Sequence, residues 1–139
     1  MSETNLPSVL DRFTFSKVGE ILLADNRLTF NLKSRSDEVG LVYLWIEVSE
    51  STSSVVYVGK AGRTLRMRCM QHKAGFRHST TGRAHAKRIR SGIAEGKHYE
   101  LYARKSAMSA IFEESDIPME GVEELAFIRK FRPSWNASV

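Results

Sequence analysis

The chain's 139 residues suit one domain with a real core, since domains cluster at roughly 100–150 residues. A 42% apolar share is that of an ordinary globular protein, and the longest apolar run, Leu41 to Ile46, is far too short to cross a bilayer. Met1 to Leu10 lacks the basic-then-apolar layout of a secretory leader, and the lone Cys69 cannot form a disulfide within the chain, so a cytoplasmic protein with no membrane association is expected. The net charge of +5 is unevenly spread. From Lys60 to Ala94 there are ten Lys and Arg, three His and no Asp or Glu, which leaves 11 basic against 16 acidic residues elsewhere. Positive charge is thus gathered on one face, for which a polyanion is the natural partner. Solvated helix surfaces are the plainer account of the same run.

In chain order, residues 1–38 read as an N-terminal extension with some order, because Leu28, Phe30 and Leu32 alternate with polar neighbours as in a half-buried strand. Leu41–Val48 and Val55–Val58 are rich in β-branched and aromatic residues around the polar stretch Ser49–Ser54, which predicts a hairpin with Tyr43 and Trp45 on one face. Leu65, Cys69 and His72 stand at helical spacing between residues 62 and 75. Ala86, Ile89 and Ile93 mark a second basic helix over Gly82–Ile93, stopped by Gly96. Tyr99, Leu101 and Ala103 alternate with polar residues as a third strand. A last helix, Glu120–Phe131, is expected to bury Val122, Leu125, Ile128 and Phe131 before Pro133 ends it. The fold expected is α+β, a small antiparallel sheet of about three strands flanked by helices, with residues 39–139 as the functional domain.

Several chemistries are excluded or weak. One Cys with scattered His does not make a zinc site. Gly59-Lys60-Ala61 lacks the Ser or Thr that a phosphate-binding loop places on magnesium. Glu113, Glu114 and Asp116 read as solvated carboxylates near a turn.

Four ordered stretches carry a resemblance. Leu41-Val42-Tyr43 followed by Tyr57-Val58-Gly59-Lys60 resembles the paired tripeptides of the GIY-YIG nucleases, with Leu41 in place of the first glycine and a longer gap between the two. Leu65 to His72 is similar to that family's basic helix, in which Arg68 and His72 share a face. Glu123 to Asn136 is similar to its closing signature of a glutamate, an apolar helix, then Pro and Asn. His98 to Arg104 together with Pro133-Ser134-Trp135-Asn136 resembles phage members in particular. The match spans about Leu41 to Asn136.

The resemblance implies a GIY-YIG nuclease fold and a DNA endonuclease that nicks or cuts both strands with one divalent ion, Mg2+ or Mn2+, in a bacterial cell or phage-infected host. It implies that Glu124 binds the metal, with Glu123 the competing candidate. Arg68 would hold the scissile phosphate, its planar fork matching two phosphoryl oxygens. Tyr43 or Tyr57 would orient or deprotonate water, its phenol lowered by the metal, Lys60 and Arg68. His72 either shuttles a proton, contacts phosphate, or is a partly buried structural residue. Gly59 and Asn136 are expected in supporting roles. Double-stranded DNA is the expected partner, with Lys60, Arg63, Arg66, Lys73, Arg83, Lys87, Arg88 and Arg90 on its backbone. Cutting both strands with one site per chain favours a homo-oligomer, a dimer or tetramer. The alternatives are an inactive DNA-binding module on the same fold, motivated by Leu41, and an RNA-binding protein, motivated by the basic segment alone.

Overall fold

The main sheet is built of five strands, β1 (Ser16–Ala24), β2 (Arg27–Leu32), β3 (Leu41–Val48), β4 (Ser53–Ala61) and β5 (His98–Lys105). In the computed structural model, which describes residues 5–136, they stand in the order β2-β1-β5-β3-β4, every neighbouring pair antiparallel. Residues 1–4 and 137–139, the ends of the two expected segments, lie outside the described residues. A separate two-stranded ribbon, β6 (Met108–Ile111) with β7 (Glu114–Pro118), follows β5.

Strand β3 is apolar on both faces because both are covered. Leu41, Tyr43 and Trp45 point into one core with α2 (Leu65–His78) and α3 (Thr80–Ala94). Val42, Leu44 and Ile46 point into another with α1 (Leu6–Arg12) and α4 (Glu120–Phe131). Each fully buried side chain of this size contributes about 1.5–3 kcal/mol. The result is three layers with β3 and β5 inside the sheet.

The sheet therefore has five strands, not about three. The two extra strands come from the segment expected to be an extension. β1 pairs with β5 from Ser16↔Ala103 to Ile21↔Tyr99, so residue 38 divides strands of one sheet. The register shift between Lys17 and Gly19 breaks the alternation that would have marked β1 in the sequence. The β1–β2 connection is a two-residue loop with Asp25 and Asn26 both at positive φ, the hairpin turn that suits the twist of antiparallel strands. Residues 36–38 also act on α2: the carbonyls of Glu38 and Ser36 accept from the N–H groups of Leu65 and Arg66 at 3.1 and 2.9 Å.

Helix α4 faces the sheet differently from expectation. Phe127 is buried at 8% exposure while Val122 and Leu125 are 60% and 39% exposed. Ile128 and Phe131 pack on the second core as expected. The inner stripe is thus Glu123, Glu124, Phe127, Ile128 and Phe131, at helical spacings of one, three, one and three. Its polar first turn belongs to a site rather than to solvent.

Candidate active site

Tyr43 on β3 lies opposite Gly59 on the edge strand β4, and Tyr57 is two residues before that glycine. The two phenol rings stand 6.2 Å apart, centroid to centroid. A Cβ on Gly59 would run into the Tyr43 ring, so only glycine lets that ring pass beneath β4. From Ala61 the chain turns through residues 62–64 into α2, whose start is capped by Thr64: its Oγ1 accepts from the Met67 N–H at 3.1 Å. That turn brings Arg68 and His72 over the two tyrosines.

Tyr43 is fully buried, and its hydroxyl is hydrogen-bonded to Nε2 of His72. Burial pushes this phenol well above its ordinary pKa; Tyr57 adds to the shift and the Arg68 guanidinium opposes it. The Tyr57 phenol is also raised by burial, again against Arg68, and the Glu124 carboxylate raises it further. His72 is pushed down to about 3 by burial, with Arg68 and His85 adding to the shift. Its ring is walled by Trp45 at 4.8 Å and Tyr57 at 5.6 Å. A neutral, enclosed imidazole has no positive charge to offer a phosphate at neutral pH, and its Nε2 is engaged by the Tyr43 hydroxyl.

The two glutamates part company. Glu123 is held by Arg104, Nε to Oε1 at 3.0 Å and Nη2 to Oε2 at 3.3 Å, and its Oε2 also accepts from the Ala107 N–H at 2.7 Å. It ties α4 to the end of β5. Glu124 instead faces Lys60 and Arg68: burial raises its carboxyl pKa, and those two cations pull against the rise. Arg68 is steadied by Gln71, whose Oε1 accepts from Nη1 at 3.2 Å. Tyr57, Lys60, Arg68 and Glu124 therefore converge around the edge of β4.

A divalent ion fits this donor set in one way only. Among the described residues no group of three or more His, Cys, Asp and Glu stands together, which rules out an all-protein cage of such ligands there. One half-buried carboxylate beside an anion-binding guanidinium suits magnesium, which keeps several waters and shares its sphere with substrate phosphate. Glu124 is the residue that would hold it.

Asn136 clamps the open edge of β4, its Oδ1 accepting from the Val58 N–H at 2.8 Å and its Nδ2 donating to the Val58 carbonyl at 2.9 Å. The Trp135 N–H adds a bond to the Val56 carbonyl at 2.9 Å. The expected backbone contacts scatter. Arg63 is exposed at the β4–α2 turn, Arg66 is ion-paired with Asp37, and Lys73 lines a groove beside β2. Arg83, Lys87 and Arg90 are on the exposed side of α3, with Arg90 bonded to Asn26, while Arg88 lies over the Trp135 ring at 5.9 Å.

Two site neighbours escape the sequence reading. Buried His85 reaches the Trp135 carbonyl at 3.0 Å and faces the Tyr57 ring at 5.2 Å. Its place four residues before Ile89 was the available signal. Gln71 is the other, and its i+3 spacing from Arg68 was legible. Cys69 is buried and free, its thiol pushed up to about 12 by burial, so it is an inert core residue. No helix among the described residues is long and apolar enough to cross a membrane.

No family model matches the sequence, and no curated protein matches it. Solved structures share the fold, two of them as follows. One is a mutant of bacteriophage T4 EndoII, with a TM-score of 0.70 and 24% identity, covering 94% of this chain and 98% of that one. The other is the restriction endonuclease HPY188I in complex with product DNA, with a TM-score of 0.55 and 15% identity, covering 94% and 79%. This chain has the fold of T4 EndoII. The likeness extends into the segment before Leu41, since coverage of 94% exceeds what the residues from Leu41 onward alone supply.

Proposed function

We propose that this chain is a DNA endonuclease of the GIY-YIG type, hydrolysing phosphodiester bonds in duplex DNA with one divalent ion, Mg2+ or Mn2+. The observation that carries the reading is the convergence of Tyr57, Arg68, Lys60 and Glu124 at the edge of β4. Its fold neighbours support it, one of them a restriction endonuclease with product DNA.

Arg68 binds the scissile phosphate through its two-pronged guanidinium and stabilises the added charge of the five-coordinate transition state. Tyr57, half-buried rather than sealed, would take the proton of the attacking water as its phenolate, an ionised form that burial opposes and that Arg68 and a divalent ion on Glu124 would favour. The water oxygen bonds to phosphorus, the phosphorus–oxygen bond to the leaving sugar breaks, and solvent protonates the leaving oxygen. Tyr43, fully buried against His72, positions its partner ring rather than meeting water. Glu124 would hold the divalent ion, which when bound would supply positive charge against that developing on the phosphoryl oxygens. Leu41, the departure that motivated an inactive module, is wholly buried in the core and leaves the convergent residues in place.

Conversion of supercoiled plasmid to nicked and linear forms tests the reading, with magnesium or EDTA, for wild type beside Glu124→Ala, Arg68→Ala and Tyr57→Phe. Metal-dependent cutting is expected from the wild type, with rates about 10²–10³-fold lower for Arg68→Ala. Glu124→Ala should bind DNA and not cut it. Binding without cutting by the wild type would replace this reading with the inactive module.

A further inference from the structure

Helix α2 has two basic flanks, and only one of them belongs to the site above. Arg68 stands on the flank toward β4 and α4. Arg66, Met70, Lys73 and Arg77 recur at helical spacing on the other, facing β2. On that side lies a groove of about 550 Å³ with Leu28, Phe76 and Ala86 at its floor. Its rim carries Arg27, Lys73, Arg77 and Arg90, and no acidic side chain lines it. Arg66, at the far end of the stripe, is already neutralised by Asp37, which leaves the Lys73–Arg77 end as the charged one.

This rim is built rather than incidental. Arg90 is fixed by Asn26, its Nη2 donating to the backbone carbonyl at 2.9 Å and its Nη1 to Oδ1 at 3.3 Å. Asn26 is itself held at positive φ by the tight β1–β2 turn. Arg27, Lys73, Arg77 and Arg90 take part in no ion pair among the described residues. Four like charges without a counterion on a grooved surface ask for a polyanion with regularly spaced charge.

We infer that this groove is a second phosphodiester-backbone site, and that α2 lies in a major groove with one strand on its Arg68 flank and the complementary strand on its Arg27–Arg77–Arg90 flank. A helix with its side chains is about 10–12 Å across, and the major groove of B-DNA is about 12 Å wide. The two flanks of one helix are therefore spaced to meet the two strands that border that groove. The exposed ridge between them, Met67 and Ala74, would then face base edges, where thymine methyls offer apolar contact.

The inference rests on the endonuclease reading, and its test separates the two. Binding of a labelled 30-base-pair duplex and of the same strand single is measured in EDTA across a salt series, for wild type, Arg27→Ala/Arg77→Ala and Arg77→Glu. Thermal melting by circular dichroism verifies that each variant is folded. The double variant should bind duplex about tenfold more weakly at moderate salt, with its slope of log affinity against log salt shallower by roughly two. Its affinity for single strands should stay within about twofold. Arg77→Glu should weaken duplex binding further. Duplex affinity and slope equal to wild type would remove the groove from DNA binding while leaving the active site untouched. Equal losses on duplex and single strand would overturn the two-strand placement. Wild-type protein that binds no DNA would overturn the endonuclease reading and this inference together.

Discussion

At His72, burial takes an imidazole out of water beside the Arg68 guanidinium and a second imidazole, His85, and its pKa falls to about 3. The folded value lies below the unfolded one, so between them the unfolded chain binds a proton that the folded chain does not. Stability rises with pH across that window and falls as the pH drops from about 6.5 toward 3. Between pH 7 and 5 the wild type should lose about 2 kcal/mol through this residue alone. Urea denaturation at the two pH values checks it against His72→Gln, which can still accept from Tyr43; equal acid losses in both proteins would show that another group governs the acid limb. Glu123 and Glu124 also part at this scale. Adjacent carboxylates on one helix look alike in sequence, and only the positions of Arg104 and Lys60 assign one to a brace and the other to the site.

Among the elements, α2 and α3 are joined at Ser79. The N–H of Gly82 reaches Ser79 Oγ at 2.9 Å, and Ser79 Oγ donates to the Gly75 carbonyl at 3.2 Å, so a single serine ends one helix and caps the next. A Cβ on Gly82 would collide with the Gly75 carbonyl group. Gly82→Ala should therefore cost about 1–3 kcal/mol in a denaturant titration, as overpacking does. A change below about 0.5 kcal/mol would mean that the helices part without penalty. Both helices were legible from their apolar stripes, because a 3.6-residue period is set by the residues within each one. The inner face of α4 was not: Phe127 and the glutamates point inward because β4 and Arg104 are there, and hydrophobicity alone favoured Val122 and Leu125.

On the scale of the whole molecule, β1 and β2 complete the sheet and residues 36–38 begin the helix that carries Arg68. Deleting residues 1–38 would leave β5 as a bare edge along its former β1 side and uncover Tyr99, Leu101 and Ala103, all fully buried. The truncated chain should not fold: circular dichroism and size exclusion are expected to report an aggregated or unfolded protein. A monodisperse fragment with a cooperative melt would show instead that residues 39–139 are a domain in their own right.

By itself the sequence determined that α2, α3 and α4 are helical, about where β3, β4 and β5 run, and that basic charge is gathered in one stretch, because charge, helical period and strand alternation are local properties of the chain. Sheet size, the burial of His72, the inward turn of α4 and the second basic flank of α2 were decided only by tertiary structure. Each depends on what a distant segment presses against: β1 on β5, Trp45 on His72, Arg104 on Glu123, Asn26 on Arg90. Contacts between residues 19 to 87 positions apart leave no period in the sequence to read.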